Sequence, residues 1–176
     1  MIELSRNEVE ALAARASRGA GYSWGLADDV GRAARLLAGE GADWSESLLA
    51  LLERAPGLAP PGAREGAPLC PVRMAAYLND APIETSALVL RDVALPVWLD
   101  ALLRTQGLWR VETDLLAATA DATLTRGETA AAPGARRARI SRSACDALNA
   151  LAARLYVPES DRSRSRGAGG GRVDED

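Results

Sequence analysis

The residues able to do chemistry in this chain gather around one bend, and part of the pattern returns near its end. Arg18-Gly19-Ala20-Gly21 is followed by Tyr22, Ser23 and Trp24, and then by Asp28, Asp29, Arg32 and Arg35. The same tetrapeptide recurs as Arg166-Gly167-Ala168-Gly169, shortly before an acidic terminus of Asp174, Glu175 and Asp176. Glycines just ahead of a helix let backbone N–H groups close around a phosphate or carboxylate, and the helix dipole adds to the hold. The plainer reading is that Gly19 and Gly21 stop one helix before the next begins. A dinucleotide fingerprint is excluded, because that motif needs a strand before its glycines and here a helix precedes them. Asp28, Arg32 and Arg35 stand at helical spacing and can share one face. That face is either a surface ion-pair array or, with the Tyr22 hydroxyl, a set of groups that binds and polarises a polar metabolite. Asp28 or Asp29 would act as a base near neutral pH only if its pKa were strongly raised.

Much chemistry is ruled out by what is missing. The chain has no histidine, so Ser-His-Asp and Cys-His nucleophilic arrangements and His/Cys metal sites are excluded. Cys70 sits between Leu69 and Pro71, and Cys145 falls near the start of the last helical stretch. Neither belongs to a Cys-x-x-Cys pair. A helix N-terminus can lower a thiol pKa, which leaves Cys145 as a weak nucleophile candidate. The three terminal acids offer oxygen ligands to a hard cation but no preorganised cage. No catalytic residue, metal or cofactor is assigned from sequence.

Composition narrows the partners. The 176 residues carry a formal charge of -3, which argues against a dedicated nucleic-acid binder, since such proteins show a basic excess. Two local basic clusters, Arg136/Arg137/Arg139 and Arg162/Arg164/Arg166, have acids close by in sequence and read as solvated surface. All 21 basic residues are Arg, which reads as codon bias of a GC-rich bacterial genome. No apolar run approaches the roughly 18 residues that span a bilayer. The first residues lack the build of a signal peptide. Two isolated cysteines suit a reduced compartment, so a cytoplasmic protein is expected. Apolar residues make up 48% of the chain but Phe is absent. Its core must therefore be Ala and Leu between close helices, with Trp24, Trp44, Trp98 and Trp109 as bulky plugs.

The positioning elements follow from periodicity. Ser5 and Glu8 have capping-box spacing, and Val9, Leu12, Ala13, Ala16 and Ala20 then mark one helix, ended by Gly19 and Gly21. Ser23 is the expected cap of a second helix through Leu26, Val30, Ala33, Ala34 and Leu37, stopped by Gly39 and Gly41. A third helix is predicted over 45–54, and the Pro/Gly cluster over 56–62 is a breaker. Residues 71–79 and 87–93 read as short strands. Pro96 opens a short helix ended by Gly107, and 108–113 alternates as a half-buried strand. Residues 115–124 fit strand or helix equally. After a loop over 127–134, a short strand from Ala138 and a final helix opened by Ser143 complete the chain. The expected fold class is α+β: a three-helix N-terminal layer, then a small mixed or antiparallel sheet with two further helices. The expected organisation is a helical N-terminal subdomain over 1–55, an α+β portion of the same domain over 63–158, and a Gly/Arg/acidic tail over 159–176. The tail reads either as a solvated end or as a docking element.

Three segments carry a family resemblance: Leu4-Ser-Arg-Asn-Glu-Val-Glu-Ala; Ala16-Ser-Arg-Gly-Ala-Gly-Tyr-Ser-Trp-Gly-Leu-Ala27 with Gly31-Arg32-Ala33; and Tyr156-Val-Pro-Glu-Ser160 with Gly167-Ala-Gly. Together they resemble an uncharacterised bacterial family, domain of unknown function 3726. The likeness covers the two ends well and the middle poorly, and it carries no activity. It implies that the tail belongs to the family pattern and that bend and tail could meet in one site. The expected function is a non-catalytic binding or accessory partner of a metabolic enzyme. It would hold a protein partner or a small anionic ligand through Arg18, Gly19, Gly21, Tyr22, Trp24, Asp28, Arg32, Arg166, Gly167 and Gly169. The alternative is a histidine-free enzyme acting on a small polar or anionic metabolite.

Overall fold

The computed structural model of the chain describes residues 1–63, 66–80, 84–127, 129 and 134–156. The fold is α+β, with six helices and two small antiparallel sheets among the described residues. A strand β1 (Ile2–Ser5) leads directly into helix α1 (Arg6–Gly19). The capping box forms as the spacing predicts: the Ser5 amide donates to Glu8 Oε2 at 2.6 Å and the Glu8 amide donates to Ser5 Oγ at 3.3 Å. That backbone bond and the Ser5 hydroxyl hold the Glu8 carboxyl below the usual carboxylate range. Val9, Leu12, Ala13 and Ala16 form the buried stripe of α1.

Helix α2 (Trp24–Gly39) returns against α1, and α3 (Trp44–Arg54) follows with Asp43 as its N-cap. Ser23 occupies the N-cap position of α2, but its side chain makes no capping hydrogen bond. Small residues set the close approach of the first two helices. A Cβ added at Gly31 would lie 2.8 Å from the Glu10 carbonyl oxygen and 3.1 Å from the Ala14 methyl. The ion pair from Arg35 to Glu10, 2.9 Å long, also ties α2 to α1.

Residues 71–79 are helical, which corrects the strand reading. Helix α4 (Pro71–Asp80) buries Pro71, Val72, Met74, Ala75 and Leu78 on one face. Its first residue is a proline, a favoured opener because the missing N–H would have had no helical partner. Strand β2 (Ala87–Ala94), helix α5 (Pro96–Gln106), and strands β3 (Trp109–Glu112) and β4 (Thr119–Arg126) come next. They form a sheet in the order β2-β4-β3, so 115–124 resolves into a turn and then a strand. A bulge lies between Leu90 and Val93. Gly107, with φ +77, ends α5 as expected.

Strand β5 (Arg137–Ile140) pairs with β1, matching Ile2 to Ile140 and Leu4 to Ala138 on the core side. Helix α6 (Arg142–Ala153) is capped by Ser141, whose Oγ accepts from the Ala144 amide at 3.0 Å. Ser143 is therefore inside the helix and not its opener. With α4 present, three helices follow the first three, one more than expected. Helix α6 packs against α1 across a glycine: a Cβ at Gly19 would fall 1.8 Å from the Leu151 carbonyl oxygen. Trp44, Trp98 and Trp109 are fully buried plugs of the Ala/Leu core, whereas Trp24 is 67% exposed. No helix among the described residues is long and apolar enough to cross a membrane.

Candidate functional site

The bend between α1 and α2 has a defined geometry. Gly21, at φ +105, is in a backbone region that residues with a Cβ rarely adopt. The Gly21 amide donates to the Arg18 carbonyl at 2.9 Å and the Tyr22 amide donates to the Ser17 carbonyl at 3.1 Å. These bonds reverse the chain within three residues and decide where each side chain goes. Arg18, in the last turn of α1, lays its guanidinium over the indole of Trp24, the first residue of α2. Tyr22 turns the other way. It is buried, and its hydroxyl lies 3.6 Å from the Cys70 sulfur at the foot of α4. Burial, with the neighbouring thiol, pushes the Tyr22 phenol far above the ordinary tyrosine range. A phenol held that way is a packing group and a poor acid–base catalyst at neutral pH.

Gly19 is explained by packing. It lets the Leu151 carbonyl of α6 approach the end of α1, and no side chain fits between them. The amides of 20, 21 and 22 are already committed to α1 carbonyls. These three amides are thus internally satisfied.

Asp28, Arg32 and Arg35 do share a face of α2. With Asn7, Glu10, Ala11 and Ala14 of α1 they line a groove of about 460 Å³. Arg32 is ion-paired with Asp29 and Arg35 with Glu10, while Asp28 is exposed and has no partner among the described residues. The groove carries two guanidinium groups and the carboxylates of Glu10 and Asp28, so its formal charge is balanced. Tyr22 lines a different and much smaller cleft of about 80 Å³, beside Ala55, Pro56 and Arg73. Tyr22 is therefore not brought to Asp28 and Arg32, and the three do not form a single constellation.

Arg166, Gly167 and Gly169 lie outside the described residues, as does the basic cluster at Arg162 and Arg164. Among the described residues no group of three or more Cys, Asp and Glu is arranged to hold a metal ion. Two features were missed from sequence. Asn7 and Glu10 supply the second wall of the α2 groove, and their three-residue spacing, continued by Ala11 and Ala14, is the signal that could have shown it. The other is a charged cluster at Arg104, which pairs with Glu40 at the end of α2 and with Asp100 one turn back, at 3.3 Å. Burial raises the Asp100 carboxyl above its ordinary range, with Arg104 pulling it back. Nothing in local spacing links Glu40 to Arg104.

Residues 4–74 match the family described as Protein of unknown function (DUF3726). The matched stretch runs from β1 through α1, α2 and α3 into the first turn of α4, and so contains Arg18, Trp24 and the whole α1–α2 groove. DUF3726 supplies no activity by its description. No curated protein and no solved structure matches the chain.

Proposed function

We propose that this is a non-catalytic binding protein, an accessory to another protein, that docks through the Arg18/Trp24 corner between α1 and α2. One observation carries the reading. Three of the four tryptophans are no more than 1% exposed, yet Trp24 stands 67% exposed with a guanidinium laid across it. A tryptophan buries about 150–250 Å² when covered, so the exposed two thirds of Trp24 would contribute about 3 kcal/mol to a contact at roughly 25 cal/mol/Å². Trp and Arg are also the side chains that most often dominate binding energy at protein interfaces. The corner lies within the stretch shared with DUF3726. The run 166–169 is the second half of the proposal, as a further contact for the same partner.

Affinity capture from the native host tests this, using wild type, Trp24→Ala, Arg18→Ala and a control, Leu116→Ala, at an exposed leucine elsewhere. Wild type and control should recover the same stoichiometric protein, with Trp24→Ala weakening it about a hundredfold. Truncation after Tyr156 should weaken it as well. Recovery of the chain alone, or an undiminished complex with Trp24→Ala, would refute the proposal.

The α1–α2 groove favours a second reading, in which a small polar metabolite is bound or turned over. Balanced charge at Glu10, Asp28, Arg32 and Arg35 suits a ligand carrying both signs better than a bare anion. A metabolite screen against wild type, Asp28→Asn and Arg32→Ala decides it: binding or turnover unchanged in both variants removes these residues.

A further inference from the structure

A second surface, on the side of the molecule built by α3 and α6, has the properties of a self-complementary contact. A groove of about 540 Å³ runs between the two helices, with Leu49, Leu52 and Pro56 on one wall and Ala147, Ala150 and Leu151 on the other. The alanines leave the space that larger side chains would fill. At the end of the same α6 helix stand two apolar side chains that no described residue covers, Leu155 at 36% and Tyr156 at 68% exposure. The Leu155 amide donates to the Ala152 carbonyl and the Tyr156 amide to the Ala153 carbonyl, each at 3.1 Å, which fixes the turn that presents them. Projection and recess thus sit side by side on one face. A contact related by a two-fold axis needs that combination, because one patch must serve as both halves of the interface.

The rim supports the same arrangement. Glu53 stands on the α3 wall and Arg154 on the α6 wall, both exposed and both without an oppositely charged partner among the described residues. Across a two-fold axis Glu53 of each copy would face Arg154 of the other, closing two ion pairs around an apolar centre.

We propose that the chain forms a symmetric dimer through the α3–α6 groove, with Leu155 and Tyr156 of each copy seated in the groove of the other and Glu53 paired with Arg154 of the partner subunit. The face includes neither Arg18 nor Trp24, so it does not depend on the docking proposal above.

Light scattering coupled to size exclusion on the full chain tests this directly. Wild type should run as a dimer. Glu53→Arg and Arg154→Glu should each place like charges together twice, weaken the dimer by at least about tenfold and run as monomers. An equimolar mixture of those two monomeric variants should form a heterodimer, because every facing pair is then of opposite sign. The double variant should dimerise again, and Tyr156→Ala should weaken association with the charges intact. Both charge reversals are at exposed positions, and circular dichroism checks that each variant is folded. A monomeric wild type, a dimer indifferent to the single reversals, or monomeric variants that fail to combine would each overturn the proposal.

Discussion

Gly19→Ala is the substitution for which local and tertiary effects predict opposite signs. Gly19 is the last residue of α1 and its φ lies outside the left-handed region, so helix propensity alone favours alanine by up to about 1 kcal/mol. Packing predicts the reverse. The added Cβ would lie 1.8 Å from the Leu151 carbonyl oxygen and 2.6 Å from its carbon, both backbone atoms of α6. Restoring an ordinary contact requires α1 and α6 to separate by about 1.5 Å, which loosens a line of close contacts between them. Overpacking of this kind costs about 1–3 kcal/mol. For a chain of 176 residues, a net loss of about 1 kcal/mol lowers Tm by roughly 2–4 °C. Gly25→Ala is the matched control: Gly25 is exposed in α2 with nothing within 4 Å of an added Cβ, so Ala there should raise Tm by about 1–4 °C. Thermal and urea unfolding followed by circular dichroism reads both. A Gly19→Ala protein as stable as wild type, or more so, would refute the packing of α1 against α6 described above.

Three other outcomes follow from the same geometry. Ser141→Ala should cost about 1 kcal/mol by removing the cap of α6, while Ser143→Ala should stay within about 0.5 kcal/mol; urea midpoints compare them. Arg104→Met leaves Asp100 and Glu40 facing each other without a cation and should cost about 1–2 kcal/mol at neutral pH. The Asp100 carboxyl is raised in the fold, so its favourable contribution is present below the ordinary carboxylate pKa and is lost as pH rises through the folded value. The deficit of Arg104→Met should therefore shrink on lowering the pH to about 4, and a pH-independent deficit would contradict the cluster. Tyr22 should not ionise in the folded protein as pH passes the ordinary tyrosine pKa of about 10. Stability should be lost over that rise, since the buried phenol favours its neutral form. Tyr22→Phe should accordingly leave the ultraviolet titration of the folded protein unchanged.

Local signals made the first half of the fold readable. Ser5 and Glu8 announced α1, and the apolar period and paired glycines bounded α1 and α2, because these features act within a few residues of chain. Residues 71–79 were misread because Val72, Met74 and Tyr77 mimic strand composition. The weightier cues were Pro71 at a first helical position and a buried face at Val72, Ala75 and Leu78. Strand β1 escaped notice for another reason: four residues gain strand structure only from β5, more than 130 residues away, and no local pattern reports that pairing. The site was half legible. Helical spacing correctly grouped Asp28, Arg32 and Arg35. Whether Tyr22 faced them or the core depended on the bonds that reverse the chain at Gly21, and those sent it to Cys70.

The central claim is that the corner bearing Trp24 is a contact surface for another protein. Placing a photo-crosslinking benzophenone amino acid at position 24 in the native host tests it most directly, with the same group at the exposed Arg142 as control. The account predicts a single dominant protein adduct from position 24 that the control lacks. No adduct, or the same scattered adducts from both positions, would contradict it.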